Sequence, residues 1–474
     1  MTKRTIKRVL LINPPSFVYK QFDKKRADYP FGLGYIASML KMDKFEVGAI
    51  DAILDGFETE QEIENGKFRY GLSDEELRKA IETFRPDAVG VSNMFTNNIT
   101  LAIHTCKLVK EVNPGTITFI GGFHPSTMPE SCLRLGGVDY LVIGEGDYTT
   151  GILLRAVSRG ADIRRIPGIA YLDENNHAII NPPIEPIQNL DILPWPDREL
   201  FPILRYSEIG CPHGNDTKLL PYTTFLTSRG CPYRCTFCAS HNVHGRSFRA
   251  RSASAVLDEL EYLVKEKGIR EIHFEDDNLT FDRERAVAIF KGIIDRNLDI
   301  AWIPTNFIAF NKIDRGILEL MKESGCYALW IPVESGDLTT LKRMKKPTPM
   351  RKFREFVPII KELGIKTNGL FMFGLPGETR EQMERTFEFA QELGMDYSSF
   401  AIFTPLPGTE LWDESVKINP ELGHPDYDWS RLKFGVSNLT IDGMTPEELI
   451  RLRRKVWLKT NWNLDEDQDP PENT

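Results

Sequence analysis

Short runs of Val, Ile, Leu and Phe recur along the chain, and between them lie segments whose apolar positions return every third or fourth residue. The first pattern marks strands and the second amphipathic helices. In the first part the order is RVLLIN, GLGYIASMLK, FEVGAIDA, SDEELRKAIETF, PDAVGVSNMF, TLAIHTCKLVKEV, TITFIGG, a short helix, VDYLVIGEG and TTGILLRAV, which makes five strand and helix units. Near-continuous apolar strands spaced by helices mean a parallel sheet covered on both faces. Ser73 with Glu76 makes a capping box at one helix start, which supports the phase of the pattern.

An open sheet of this kind binds ligands beyond the carboxyl ends of its strands. Those ends read NPPS (13–16), SNMFTN (92–97), GGFHPST (121–127) and GEGDYT (144–149), all rich in Gly, Pro and small polar residues. They are either ordinary strand-to-helix turns or, with two Gly pairs that let backbone approach a ligand, one binding face.

The pattern then breaks into INPPIEPIQNLDILPWPDREL and its surroundings, whose prolines oppose helix interiors and central strands. A second alternation follows: TTFLTS, EIHFEDD, AWIPTN, ALWIPVESG, TNGLFMFG and SSFAIFTPLPG, with helices near 253–267, 283–295, 314–324, 338–363 and 379–393. Six strands in six such units predict one sheet curled into most of a barrel, with its chemistry at the C-terminal strand ends. After about residue 421 come one amphipathic helix, TPEELIRLRRKVWLKTNW, and the acidic DEDQDPPENT, which has nothing to bury and is expected to be disordered. The fold class is therefore α/β, a doubly wound, Rossmann-like (flavodoxin-like) domain over 1–165, a proline-rich linker over 166–222, a partial (β/α)6 TIM-like barrel over 223–420 and a C-terminal helical segment with a disordered tail over 421–474.

Composition narrows the function. A length of 474 residues asks for more than one core, and a net charge of -9 argues against binding nucleic acid through bulk electrostatics. There is no long apolar run and no cleavable leader after MTKRTIKRVLLINPP, so a cytoplasmic protein with no membrane partner is expected. Seven cysteines do not form a disulfide framework. Cys106, Cys132, Cys211 and Cys326 stand alone and read as small core residues, whereas Cys231, Cys235 and Cys238 cluster in SRGCPYRCTFCAS.

A closed structural metal site takes four thiolates or a histidine in place of one, so a single zinc here would need a fourth ligand from His241 or His244. Three thiolates on a four-iron cluster instead leave one iron without a protein ligand, a position that can chelate the amino and carboxylate groups of a small molecule. CxxxCxxC with Phe237 before the last Cys, on the loop after the first barrel strand, resembles the radical S-adenosylmethionine (SAM) superfamily. The resemblance implies a [4Fe-4S] cluster held by Cys231, Cys235 and Cys238. That cluster passes an electron to SAM, whose C–S bond breaks to methionine and a 5′-deoxyadenosyl radical.

By the same resemblance Asp276, Asp277 and Asn278 in FEDDN stand where the superfamily holds the methionine ammonium, in place of a GGE-like segment. Glu334 and Ser335 of VESG look like its ribose and methionine contacts. FGLPGET (373–379) resembles the segment that approaches the adenine, or is a tight turn in which Glu378 or Thr379 caps the next helix. Arg246, Arg249 and Arg251 bind either an anion, with Arg249 as the SAM contact, or solvent.

A five-unit parallel domain, a proline linker and such a barrel, in that order, resemble the cobalamin-dependent radical SAM family across nearly the whole chain. The resemblance implies corrinoid contacts from Pro14, Ser92, Asn93, Thr96, Gly121, Gly122, His124, Gly144, Glu145 and Gly146. Neither His104 nor His124 lies in a DxHxxG motif, so the mutase-type ligand to cobalt is absent, as is usual in this family. FRYGLSDEELRKAIETFRPDAVGVS, EGDYT and FEDDNLTFD look most like the methylcobalamin-dependent methyltransferases of phosphonate antibiotic biosynthesis. The implied reaction moves a methyl group from SAM through methylcobalamin to an unactivated carbon, or a phosphorus, of a small molecule. An electron donor such as flavodoxin or ferredoxin is implied as partner. The rival with the same cofactors is an oxidative cyclase or ring-rearranging enzyme. A tRNA methylthiotransferase would want three more clustered cysteines, and a non-catalytic corrinoid carrier would have no use for the barrel.

Overall fold

The computed structural model describes residues 5–464 apart from 20–23, 65, 211–216, 307, 347–348, 425 and 434. Cys211 and the acidic tail from 465 onward, expected to be disordered, lie outside the described residues. The chain forms two compact units: 1–217 with 240–245 and 428–430, and 218–239 with 246–427 and 431–474.

The first unit holds β1 (Arg8–Asn13), β2 (Ser16–Tyr19), β3 (Glu46–Asp51), β4 (Glu60–Glu64), β5 (Lys67–Tyr70), β6 (Ala88–Asn93), β7 (Ile117–Gly122), β8 (Tyr140–Val142), β9 (Ile169–Leu172) and β10 (Ala178–Ile180). Its main sheet runs β10-β9-β8-β7-β6-β1-β3. The five strands expected from the sequence, β3, β1, β6, β7 and β8, pair in parallel, in the flavodoxin-like order 2-1-3-4-5. Their side chains, from Val9 to Ile12 and from Ala88 to Val91, are almost entirely buried, as strands covered by helices on both faces must be. The capping box at Ser73 is present: the Ser73 side chain accepts from the Glu76 amide, and the Glu76 carboxylate accepts from the Ser73 amide at 2.8 Å.

Two features depart from the expectation. Residues 166–222 are not linker throughout: β9 and β10 form an antiparallel hairpin that extends the sheet from β8, and Ile203–Ile209 is a helix. The prolines cluster only after Asn181, while Asp173 turns the hairpin by accepting from the Asn175 and His177 amides, each at 2.8 Å. A small antiparallel sheet, β2-β5-β4, was also not foreseen.

The second unit carries β11 (Tyr222–Phe225), the short pair β12 (Ser228–Arg229) and β13 (Arg249–Ala250), then β14 (Glu271–Phe274), β15 (Ala301–Pro304), β16 (Ala328–Glu334), β17 (Lys366–Phe373) and β18 (Tyr397–Ile402). β11-β14-β15 and β16-β17-β18 are parallel sheets, joined by one parallel bridge between Trp302 and Cys326. The six expected strands thus follow one another in chain order as a partial barrel. Trp302 of β15 stacks on Phe290 of the helix Arg283–Asp295, which seals strand to helix, and Phe371 of β17 stacks on Phe400 of β18 between neighbouring strands. Helices start at side-chain caps from Ser252, Asp282, Asp314 and Thr379. No described helix is long and apolar enough to cross a membrane.

Candidate functional site

At the carboxyl ends of the first sheet the strand-end loops are tied to one another. The Asn98 amide donates to Ser16 Oγ at 2.9 Å across the point where the strand order reverses, between β1 and β6. Ser126 donates to the Gly122 carbonyl at 2.7 Å and accepts from the Gly144 amide at 2.9 Å. Gly122 has φ 116°, and a Cβ there would lie 2.2 Å from the Asn93 carbonyl oxygen, so only glycine fits. Gly144 is likewise left-handed, with φ 74°. Pro14 is buried, while Ser92, Gly121 and Gly146 are half-buried.

Within this face sit buried polar atoms with no hydrogen-bond partner among the described residues: Asn93 Oδ1, Thr96 Oγ1, both ring nitrogens of His124, and the hydroxyls of Thr149 and Thr150. A buried polar group without a partner is costly, so a set of them marks a place where polar groups of a ligand complete the bonding. His124, in the short helix Phe123–Thr127, is fully buried and meets Trp429 edge-on at 4.8 Å. Burial pushes its imidazole down to about 3. Glu145 is buried too and contacts His244 Nδ1 at 3.0 Å.

In the second unit Cys231, Cys235 and Cys238 lie on the loop after β11 and β12, each half-buried and none in a disulfide. The loop is held from its middle: the Thr236 amide donates to the Met344 carbonyl at 3.0 Å, its hydroxyl to Arg343 O at 3.1 Å, and its own carbonyl accepts from Leu411. Burial pushes the Cys235 thiol up to about 12, against the pull of Lys346. Burial also raises the Cys231 thiol, which feels Asp277, Cys238 and Lys346. The three thiols are therefore close enough to act on one another. Phe237 is half-buried among them.

The two aspartates after β14 part company. Asp276 is buried and faces the fold: it accepts from the Thr227 amide and hydroxyl, the latter at 2.6 Å, and from Ser228 Oγ. Its work is to hold the start of the cysteine loop. Asp277 is half-buried beside Cys231 with no hydrogen-bond partner among the described residues, and neither end of the buried Asn278 amide has one. Glu334 closes β16 at a register shift, with φ 68°, a conformation that a residue with a Cβ adopts only under constraint. Its carboxylate pairs with Lys346 Nζ at 2.8 Å. Ser335 serves the fold, meeting Thr386 Oγ1 at 2.9 Å and accepting from the Asp337 amide.

Glu378 wraps its own turn, accepting from the Gly374 and Leu375 amides, and burial lifts it to about 7, while Thr379 caps the next helix. Of the three arginines, Arg249 is buried on β13, Arg251 is spent on the buried Glu259, and Arg246 donates to the Tyr233 carbonyl at 3.3 Å. Lys346 and Thr236 were not singled out in the sequence. Nothing in RMKKPTP distinguishes a buried lysine from its exposed neighbours.

Comparison with known proteins agrees with this division. Residues 225–390 match the radical SAM superfamily and residues 28–154 the B12 binding domain. The cytidylyl-2-hydroxyethylphosphonate methyltransferase of Streptomyces wedmorensis is 31% identical over 450 residues, 88% of this chain and 84% of that protein. The chain belongs to the cobalamin-dependent radical SAM methyltransferases. An uncharacterized methyltransferase of Pyrococcus horikoshii is also 31% identical, over 96% of this chain and 92% of its own length. The fold is shared with the radical SAM methyltransferase TsrM of Kitasatospora setae, solved with cobalamin and a [4Fe-4S] cluster bound (TM-score 0.69, 20% identity, 87% of this chain and 78% of that one).

As a cobalamin-dependent radical SAM methyltransferase the protein works with a [4Fe-4S] cluster, SAM and cobalamin on a small-molecule substrate. The donor sets fit these groups. Three cysteines outside any disulfide on one anchored loop suit a cluster with one open iron. The unpartnered polar atoms at the first unit's strand ends suit a corrinoid edged with amides and a phosphate.

Proposed function

We propose that this methyltransferase acts on an sp³ carbon of a small phosphonate-bearing substrate, using electrons from a low-potential flavodoxin or ferredoxin. The observation that carries the reading is similarity to a phosphonate methyltransferase across both units rather than across the barrel alone. When bound, the cluster supplies an electron to SAM and cobalamin supplies the methyl group.

The chain's own residues then divide the work. Cys231, Cys235 and Cys238 hold the cluster, on a loop fixed by Thr236 and by Asp276 through Thr227 and Ser228. Asp277 and Asn278 are the groups with bonding capacity to spare for the methionine ammonium and carboxylate. Glu334 takes the ribose hydroxyls, and the turn closed by Glu378 presents backbone to the adenine. Asp276, Ser335 and Arg251 support these groups from behind. In the first unit Asn93, Thr96, Gly122 and His124, with Pro14, Ser92, Gly121, Gly144, Glu145 and Gly146 around them, receive the corrinoid.

The test is anaerobic. Reconstituted protein is given hydroxocobalamin, SAM and a low-potential reductant, and 5′-deoxyadenosine and S-adenosylhomocysteine are quantified with and without candidate phosphonates. Both products are expected, and Cys235→Ala is expected to abolish deoxyadenosine while leaving the fold intact, because the residue sits on a loop. Deoxyadenosine without S-adenosylhomocysteine would move the protein to the cyclase class. Dependence on a substrate without phosphorus would remove the phosphonate.

A further inference from the structure

Lys346 is carried to the cysteine loop by a turn built for the purpose. The helix Leu338–Arg343 ends, Lys345 takes a left-handed conformation with φ 52°, and the Lys346 amide donates back to the Leu341 carbonyl at 3.0 Å. The same turn, at Arg343 and Met344, accepts both hydrogen bonds from Thr236, the residue after Cys235. The backbone that bears Lys346 is thus fastened to the middle of the cysteine loop. Its side chain is only 5% exposed, and its ammonium pairs at 2.8 Å with Glu334, whose side chain is 13% exposed. A charge so far from water needs a charged partner, and each of these two supplies the other's.

We propose that Lys346 is a positioning residue with two tasks: it is the fixed counter-charge of the cluster, raising its reduction potential, and it holds Glu334 at the end of β16. The proposal rests on the cluster assignment made above. One-electron reduction adds one negative charge to a cluster already ligated by three thiolates; the electron comes from the low-potential donor and no bond forms or breaks in the protein. A cation buried beside those thiolates favours the reduced form, because water does not screen it there. Glu334, in the same place with the opposite sign, disfavours it, and Lys346, set against the cysteine loop by its turn, outweighs it.

The experiment is a redox titration of the reconstituted cluster without SAM, followed by the electron paramagnetic resonance of the reduced cluster, in the unsubstituted protein, Lys346→Met, Lys346→Arg and Glu334→Gln. Iron and sulfide are assayed in each. In Lys346→Met the ratio of reduced to oxidised cluster at a given applied potential is expected to fall about tenfold, which is about 59 mV for one electron. Lys346→Arg keeps the charge and titrates near the unsubstituted protein, and Glu334→Gln shifts upward. A fully loaded Lys346→Met that titrates at the unsubstituted potential overturns the proposal. Should Lys346→Met fail to hold iron, the sign in Glu334→Gln decides: no upward shift overturns it. Failure of the unsubstituted protein to take up a cluster would instead sink the parent assignment, and this proposal with it.

Discussion

His124 and Asp51 are two buried titratable groups of the first unit, displaced in opposite directions by the same cause. Burial holds the imidazole near 3, well below its ordinary value of about 6.5. The folded state then binds fewer protons than the unfolded chain between those limits, so the stability contributed by neutral His124 is complete above about pH 6.5 and is lost as pH falls toward 3. Burial lifts Asp51 from 3.8 to about 6, against hydrogen bonds from Tyr206, Leu54 and Asn13. Its contribution is fully present below 3.8 and is lost as pH rises through about 6. Urea unfolding of the cofactor-free protein at pH 5 and pH 7.5 separates the two. In His124→Gln the loss of stability on acidification shrinks, and in Asp51→Asn it grows. Equal pH dependence in all three proteins would mean that neither group is buried in solution as it is here. Adding hydroxocobalamin extends the test: if His124 meets the corrinoid, His124→Gln retains less of it on desalting.

The C-terminal helix shows how one element protects another. Thr445 and Glu448 form a capping box with Pro446 in the first turn, so the helix Pro446–Trp462 starts where the sequence says it should. Near its other end Asn461 accepts from the Ser398 amide at 2.8 Å and donates to the Ser398 carbonyl at 2.9 Å, filling the free side of β18, the last strand of its sheet. With the bond from the Asn461 amide to the Trp457 carbonyl at 2.9 Å, three hydrogen bonds at about 1 kcal/mol each predict a loss of roughly 3 kcal/mol in Asn461→Leu, read from the urea midpoint. A midpoint within error of the unsubstituted protein would show that the clamp adds nothing.

The same helix illustrates what the sequence made legible. Parallel strands covered on both faces are runs of apolar residues, and helices announce themselves by period and cap, so five strands of one unit and six of the other were readable. β2, β4 and β5 were not, because SFVY and KFRY are too short and EQEIE too polar for a period to emerge. Cysteine spacing singled out the loop that carries Cys231, Cys235 and Cys238. It could not tell Asp276, buried on Thr227 and Ser228, from the half-buried Asp277, nor reveal Lys346, brought near by a turn closing across a distant loop.

Over the whole molecule the two units are not consecutive stretches of chain. The hexapeptide 240–245, two residues beyond Cys238, and the tripeptide 428–430 belong to the first unit. They bring His244 to Glu145 and Trp429 to His124. A fragment ending at residue 217 therefore keeps every strand of the parallel sheet but lacks the indole that covers His124. Its imidazole is expected to titrate closer to 6.5, a shift that a proton NMR titration reads directly, and an unchanged low value would show that the sheet alone buries it. For recombination between relatives this sets a rule. Exchanging one corrinoid-binding half for another at the proline-rich stretch would leave a hybrid with the wrong nine residues on its new half. Functional chimeras should arise when 240–245 and 428–430 are inherited from the same parent as residues 1–217.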